Sequence, residues 1–258
     1  MLKLARYLDV RPADASKASP IIDAVNIPFD QLGERSHELP KSSEAVRVAD
    51  TGEEARTAIA HLVSMQRAAG LAQDFAFGPN ECGLRLWQPN SFLESVVQNL
   101  APGRALDLGC GTGRDAVYLA SLGWQVMAVD WLPDALERAA SLELAHKNEL
   151  EIPVRWERAD IEADGYVPDG EFDLIATFFL LDRTLLRRTP AWLRPGGSLI
   201  VETFTREHRA RFGRPREVYT LELQELNVLL PELVVRHYEE ALHGDRHTAR
   251  YLGTKPVN

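Results

Sequence analysis

Cysteine is scarce in this sequence: Cys82 and Cys110 are the only two among 258 residues. One pair cannot build a disulfide framework, and neither has neighbours at zinc-ligand spacing. A disulfide-stapled scaffold and a structural zinc module are both excluded. No apolar run is long enough to cross a bilayer. A basic excess is missing too. The net charge is −9, the wrong sign for a general polyanion binder, so nucleic acid is disfavoured as the main partner. The chain also lacks internal repeats and low-complexity tracts, and its first residues, Met1 to Leu8, are too short and too charged for a signal segment. A cytoplasmic globular protein with no membrane partner is the expectation.

Glycine and proline punctuate what remains. The stretch "AAGLAQDFAFGPNECG" holds three glycines, a proline and little periodicity, and reads as a linker. The expected organisation is a small domain over residues 1–75, a linker over 76–89 and a larger domain over 90–258.

Beyond the linker, short apolar strands alternate with helical patterns. "NSFLESVVQNL" predicts a helix capped by Asn90 or Ser91. "RALDLG", "WQVMAVD", "VRWERAD", "FDLIATFF" and "GGSLIVETF" predict strands, separated by the helices "GRDAVYLASLG" and "LPDALERAASLELAHKN" and by a helix broken at Pro190. Strands with continuous apolar runs are covered on both faces, so the pattern predicts an α/β fold with a doubly wound, mostly parallel, Rossmann-like sheet. "PELVVRHYEEAL" and "HTARYLGTKPV" predict an antiparallel C-terminal hairpin about "HGDR", with helix left open for the first of them.

The stretch "LDLGCGTGRD" carries the chemistry. Gly109, Cys110, Gly111 and Gly113 follow a strand and open a helix, an arrangement that lets a ligand approach backbone closely. The dinucleotide fingerprint needs a third glycine where Arg114 stands, and Asp107 would repel a pyrophosphate. A carboxylate there suits an ammonium group. S-adenosylmethionine offers an ammonium and a sulfonium and has no phosphate. Asp130 ends the second strand about 20 residues on, where an acidic side chain accepts from ribose hydroxyls. Trp131 could flank the adenine, Asp160 could accept from its amino group, and Ile161 could pack on the ring.

With those residues in place, the segment 85–205 resembles a class I S-adenosylmethionine-dependent methyltransferase. The likeness rests on "LDLGCGTGRD", "VMAVD", "RADIE", "FDLIATFFLLDR" and "LRPGGSLIVETF". "GRD", "LWQPNSFL" and "LRPGG" resemble the tellurite-resistance and thiopurine-type subgroup. The resemblance implies an enzyme with S-adenosyl-L-methionine as cofactor, moving a methyl group by in-line displacement to a small-molecule acceptor such as a thiol or a chalcogen oxyanion. Two other readings fit the same residues: a regulatory or scaffold protein that binds the cofactor without turnover, and an RNA or protein methyltransferase.

Near the start, "YLDVRP", "AVNIPFDQL" and "ELPKSSEAVRVADTG" resemble a rhodanese domain. Ala49 or Asp50 stands where that family places its nucleophilic cysteine, and Glu54 where it places a loop arginine. A persulfide needs a thiolate, so this small α/β domain is expected to be degenerate and inactive in sulfur transfer. Cys82 does not replace the missing thiol.

Candidate acceptor residues follow the fourth and fifth strands. Phe178, Phe179 and Leu180 wall a transfer site or pack a core; Asp182 and Arg183 touch substrate or, for Asp182, cap a helix. Glu202, His208, Arg211, Arg216 and Tyr219 lie on a segment able to fold over a pocket mouth, or on a solvated helix. Trp87 belongs to a lid or to a core. His243 and His247 flank a surface turn without a third ligand, so no metal is expected. No catalytic dyad stands out.

Overall fold

The structure, a computed structural model, describes residues 2–80, 83–163 and 165–257. Cys82 lies outside the described residues. The chain divides into two units: Met1–Pro89 with Leu144–Glu149, and Asn90–Glu143 with Leu150–Asn258.

The first unit is built on β1 (Lys3–Leu4), β2 (Tyr7–Asp9), α1 (Ala13–Ala18), β3 (Ala24–Asn26), β4 (Val46–Ala49), α2 (Glu53–Ser64), β5 (Ala69–Ala72) and β6 (Leu84–Arg85). Four strands form a sheet in the order β3-β2-β4-β5, all parallel, and β1 pairs with β6. Ala55, Ala58 and Leu62 recur at helical spacing, so α2 presents one apolar stripe. That stripe joins Leu8, Val10, Ile27, Val46 and Val48 in the core. Leu84 and Arg85 fall within the stretch expected as a linker; here they form a strand of the first unit.

The second unit contains α3 (Ser91–Val97), β7 (Arg104–Leu108), α4 (Arg114–Ser121), β8 (Gln125–Asp130), α5 (Pro133–Ala145), β9 (Arg155–Arg158), β10 (Phe172–Phe178), α6 (Arg183–Trp192), β11 (Leu193–Phe204), α7 (Arg206–Phe212), α8 (Glu225–Leu229), β12 (Val234–His243) and β13 (Arg246–Thr254). The last residues of α5 fall in the segment counted with the first unit. Seven strands form one sheet in the order β12-β13-β11-β10-β7-β8-β9. All neighbours are parallel except β13, which runs antiparallel to β11 and β12. The mixed α/β, mostly parallel expectation therefore holds. The chain leaves β7 towards β8 and β9, then returns to place β10 on β7's other side. Strand order reverses there, and an open sheet binds ligands in the crevice outside the carboxyl ends at such a point.

Two local expectations are corrected. The helix expected to break at Pro190 runs unbroken from Arg183 to Trp192. Proline cannot donate to the carbonyl four residues back, which is Leu186. Thr189 Oγ1 donates to that carbonyl at 2.8 Å, so the acceptor is not orphaned. The strand expected from Gly196 begins at Leu193, and its register against β10 shifts between Phe172 and Leu174. The segment left open between strand and helix is strand β12.

Asp182 caps α6, its side chain accepting from the Leu185 N–H. Asp182→Ala should cost about 1 kcal/mol in urea unfolding; an unchanged unfolding midpoint would show that the helix does not depend on this cap.

Candidate functional site

The crevice begins where β7 ends. Gly109 and Cys110 both donate their N–H groups to the Val129 carbonyl, at 2.9 and 3.0 Å, which ties the loop's first turn to β8. Asp130 holds the next turn: its Oδ2 accepts from Gly111 N–H at 2.8 Å and its Oδ1 from Leu132 N–H at 3.0 Å. Gly113 donates to the Cys110 carbonyl at 2.9 Å. The N–H groups of Gly109, Cys110 and Gly111 are thus already taken by β8 and Asp130.

What the loop offers instead is space. A Cβ on Gly111, whose φ is +53°, would meet nothing within 4 Å. Gly113 is different: at φ +78°, a Cβ there would lie 2.6 Å from Trp156 Cη2 and 2.7 Å from Ala139 Cβ. Gly113 is therefore required by close packing on β9 and α5, and Gly111 by an open approach.

Asp107 sits behind this loop, 2% exposed. Its Oδ2 is buried and has no hydrogen-bond partner. Burial, then the charges of Asp115 and Asp130, push its carboxyl well above the usual carboxylate range. An arriving cation would relieve that cost. Cys110 is half-buried beside the same carboxylates, and desolvation first, then Asp107 and Asp130, push its thiol far above the ordinary value. A thiol shifted in that direction favours its protonated form.

The other expected cofactor residues surround the crevice unequally. Trp131 follows Asp130 and is 64% exposed, open to stack on a ring. Asp160 is exposed, and its Oδ1 accepts from Glu162 N–H at 3.1 Å. Ile161 is buried in the unit's core. Phe178 is half-buried at the end of β10. Leu180 closes over Gly109, its Cδ2 3.4 Å from where a Cβ would stand.

Several expected acceptor residues are committed elsewhere. Arg183 is clamped to Glu225 through Nε and Nη2, and donates to the carbonyls of Val218 and Thr220 at 2.9 and 3.0 Å. It staples the segment before α8 rather than reaching for a ligand. Arg211 pairs with Glu207 at 2.8 Å on an exposed helix face. Tyr219 is 45% exposed under the Arg216 guanidinium, 6.0 Å from its ring centroid. Trp87 is 1% exposed, and its indole N–H donates to His146 Nε2 at 3.0 Å within the first unit. It is a satisfied core residue and not a lid. His243 bonds Thr248 and Glu239, and His247 bonds Thr205.

Two groups differ from the sequence reading: Glu202, an expected acceptor residue, has another role, and a file of rings was only half foreseen. Glu202, 3% exposed, accepts from Asn90 Nδ2 at 2.9 Å, Thr248 Oγ1 at 2.7 Å and Arg250 Nε at 3.1 Å. The Asn90 backbone N–H in turn donates to Asp115 Oδ1 at 2.6 Å. Glu202 is thus a structural anchor that ties β11 to the starts of α3 and α4, not an acceptor ligand. The second group is a file of rings, Phe179, Phe204, His208 and Phe212, with successive centroids 5.1, 4.5 and 4.7 Å apart. Only Phe179 and His208 were candidates; the spacing of 204, 208 and 212 is the helical period that could have revealed the rest.

The open space over Gly111, the orphaned buried oxygen of Asp107 and the exposed Trp131 fit a cationic nucleoside without phosphate. Comparison with known proteins agrees. Residues 105–197 match the family model of a methyltransferase domain. Among curated relatives, hemagglutinin 1 of Eikenella corrodens is 35% identical over 43% of this chain and 38% of its own length. An uncharacterized protein of Schizosaccharomyces pombe, UNK4.09, is 26% identical over 82% of this chain and 80% of its own. A ubiquinone biosynthesis O-methyltransferase of Xanthomonas euvesicatoria pv. vesicatoria is 32% identical over 43% of this chain and 47% of its own. The chain thus spans less than half the length of the first and the third.

Solved structures share the fold. TehB from Haemophilus influenzae aligns with TM-score 0.52 and 21% identity over 65% of this chain and 62% of its own. The N-methyltransferase NodS from Bradyrhizobium japonicum WM9, in complex with S-adenosyl-L-homocysteine, aligns with TM-score 0.50 and 20% identity over 64% and 84%. The match over residues 105–197 supports a methyltransferase domain there.

Three outcomes test this geometry. Gly113→Ala should destabilise the protein by about 2–4 kcal/mol, because neither a backbone in the left-handed region nor the Trp156 ring can yield cheaply; a loss under about 1 kcal/mol in urea unfolding would contradict the packing. A buried carboxyl with a raised folded-state pKa binds its proton more tightly folded than unfolded. Stability of the ligand-free protein should therefore fall as pH rises from about 4 through the raised value of Asp107. Asp107→Asn should flatten that fall and gain about 1 kcal/mol at neutral pH; identical pH profiles would refute the assignment. Finally, Cys110 should resist iodoacetamide at about pH 8 in native protein and react once unfolded, as read by mass spectrometry; rapid native labelling would contradict its raised pKa.

Proposed function

We propose that the whole chain is an S-adenosylmethionine-dependent methyltransferase acting on a small-molecule acceptor. The observation that carries this reading is Asp107: a buried carboxyl with one unpartnered oxygen, behind a loop left open over Gly111, at the sheet's switch point. A pyrophosphate would be repelled there, and a cationic amino-acid tail would be held.

When bound, the cofactor supplies an activated methyl group on a positively charged sulfur. An acceptor held in line would displace a neutral thioether from that methyl carbon, its lone pair forming the new bond as the carbon–sulfur pair leaves with sulfur. A protic acceptor gives its proton to solvent water. The chain's part is alignment and exclusion of water. Asp130 fixes the loop over which the ligand lies, and two of its lone pairs remain for ribose hydroxyls. Trp131 supplies an exposed ring beside it, while Phe178, Phe179 and Leu180 bound the side towards β10.

The first unit supports a rhodanese-like ancestry without rhodanese chemistry. The turn after β4 carries Asp50, which lies 3.8 Å from Arg56 and accepts from Gln73. Glu53 and Glu54 fill the first turn of α2, where a persulfide-forming loop would need cations and a thiolate. A 270 Å³ hollow at the ends of β2 and β3 is lined by Pro12, Asp30, Gln31 and Glu54, and an anion would be repelled there. We assign this unit no sulfur transfer.

Calorimetry with S-adenosylhomocysteine should show one site per chain. Asp130→Ala should weaken binding at least about tenfold, because the loop loses its anchor as well as a ribose acceptor. An absence of binding to the native protein, or undiminished affinity in the variant, would refute the reading.

A further inference from the structure

We propose that β12 is a self-association edge: it pairs antiparallel with the β12 of a second copy of this chain, about a two-fold axis through Tyr238. The seven-stranded sheets of the two copies join edge to edge there.

The edge is open. β12 is the outermost strand of its sheet, and among the described residues no strand or bridge covers its outer side. It is ten residues long, so a long row of backbone donors and acceptors faces outward. Its apolar side chains stand in water as well: Val234 and Val235 are each 44% exposed and Leu242 is 51% exposed. Leu223 and Val228 belong to the segment whose Gln224 N–H donates to Glu240 Oε1 at 2.7 Å, and both are more exposed still. An unpaired edge flanked by uncovered apolar side chains is a template for another strand.

The order of residues along β12 is complementary to itself. A two-fold axis perpendicular to a sheet keeps every side chain on its own face, so one residue must lie on the axis. With Tyr238 there, His237 stands opposite Glu239 of the second copy, Arg236 opposite Glu240, Val235 opposite Ala241 and Val234 opposite Leu242. Arg236 and His237 each meet a carboxylate, the valines meet apolar side chains, and the symmetry makes every such pair twice. The adjacent registers fail. An axis at Glu239 sets that carboxylate against itself and Arg236 against Leu242; an axis at His237 sets Val235 against Glu239 and Val234 against Glu240. β12 carries a bulge between Val235 and His237, where two residues of one strand oppose one of the other. Counted with the bulge, Val234 falls against Ala241, and apolar still meets apolar.

The groups this register needs are available. Arg236 is exposed and makes no ion pair or hydrogen bond among the described residues. Glu240 uses Oε1 for the Gln224 N–H and the Tyr238 hydroxyl, and its Oε2 takes no bond among the described residues. Glu239 already lies 3.1 Å from His243 Nε2 within its own chain, so the pair of Arg236 with Glu240 is the one that sets the register. An edge guarded by charges of one sign repels a second copy of itself. β12 carries both signs, sorted to either side of Tyr238. The cofactor crevice opens at β7, beyond β13, β11 and β10, so each copy keeps its own crevice and the interface uses other residues.

The test is sedimentation velocity on the full-length chain between about 1 and about 100 μM, where a dimer should form. Arg236→Glu should raise the dimer dissociation constant at least about tenfold, because like charges then oppose each other at both symmetric places. Glu240→Arg should do the same. Mixed in equal amounts, the two variants should form a heterodimer within about threefold of the native affinity, since each supplies the charge the other lacks. That recovery separates the register from misfolding of either variant. A native chain that stays monomeric throughout, a dimer indifferent to Arg236→Glu, or a mixture that stays monomeric would overturn the proposal.

Discussion

One buried carboxyl governs the second unit. Asp107 stands at the carboxyl end of β7, with Asp115 and Asp130 close enough to oppose its charge and one oxygen lacking any partner. Such a group is expensive to keep in the empty protein. Its neighbours are arranged so that the cost is met from outside: the loop in front of it is glycine, its backbone turned away into bonds with Val129 and Asp130, and the room over Gly111 is clear. A cationic ligand is the complement this arrangement lacks. The match of residues 105–197 to the model of a methyltransferase domain agrees with such a complement.

The rest of the unit positions this corner. Asp130 is the pivot, because its two oxygens hold Gly111 on one side and Leu132 on the other, coupling the loop to the start of α5. Gly113 lets the loop settle on Trp156 and Ala139. On the β10 side, Glu202 gathers Asn90, Thr248 and Arg250 into one buried cluster, and its backbone carbonyl fixes the turn at Phe179. The cofactor crevice and the aromatic file beside it thus rest on the same two strands. A change at Glu202 would be felt at both.

Much of this was legible in the sequence where the signal is local. A strand, a glycine loop and a helix follow one another within residues 104–121, and the acid at the end of the next strand falls where a parallel neighbour must put it. The antiparallel hairpin announced itself through its turn. What stayed hidden depends on partners distant in the chain. Arg183 finds Glu225 42 residues away, Asn90 finds Glu202 at 112, and Trp87 finds His146 at 59. No periodicity encodes those pairings, and each moved a candidate ligand into a structural role. Pro190 misled for a subtler reason: the side chain of Thr189, one residue earlier, takes the carbonyl that proline abandons. The aromatic file lay between these cases. Positions 204, 208 and 212 recur at a spacing of four from the end of β11 into α7, whereas Phe179 joins them only through the sheet.

A crystal structure with S-adenosylhomocysteine bound tests the central claim most directly. The account predicts ligand density over Gly111, with the amino-acid tail directed to Asp107 and the ribose to Asp130. Density for a phosphate-bearing compound in that crevice, or a ligand seated elsewhere on the sheet, would contradict it.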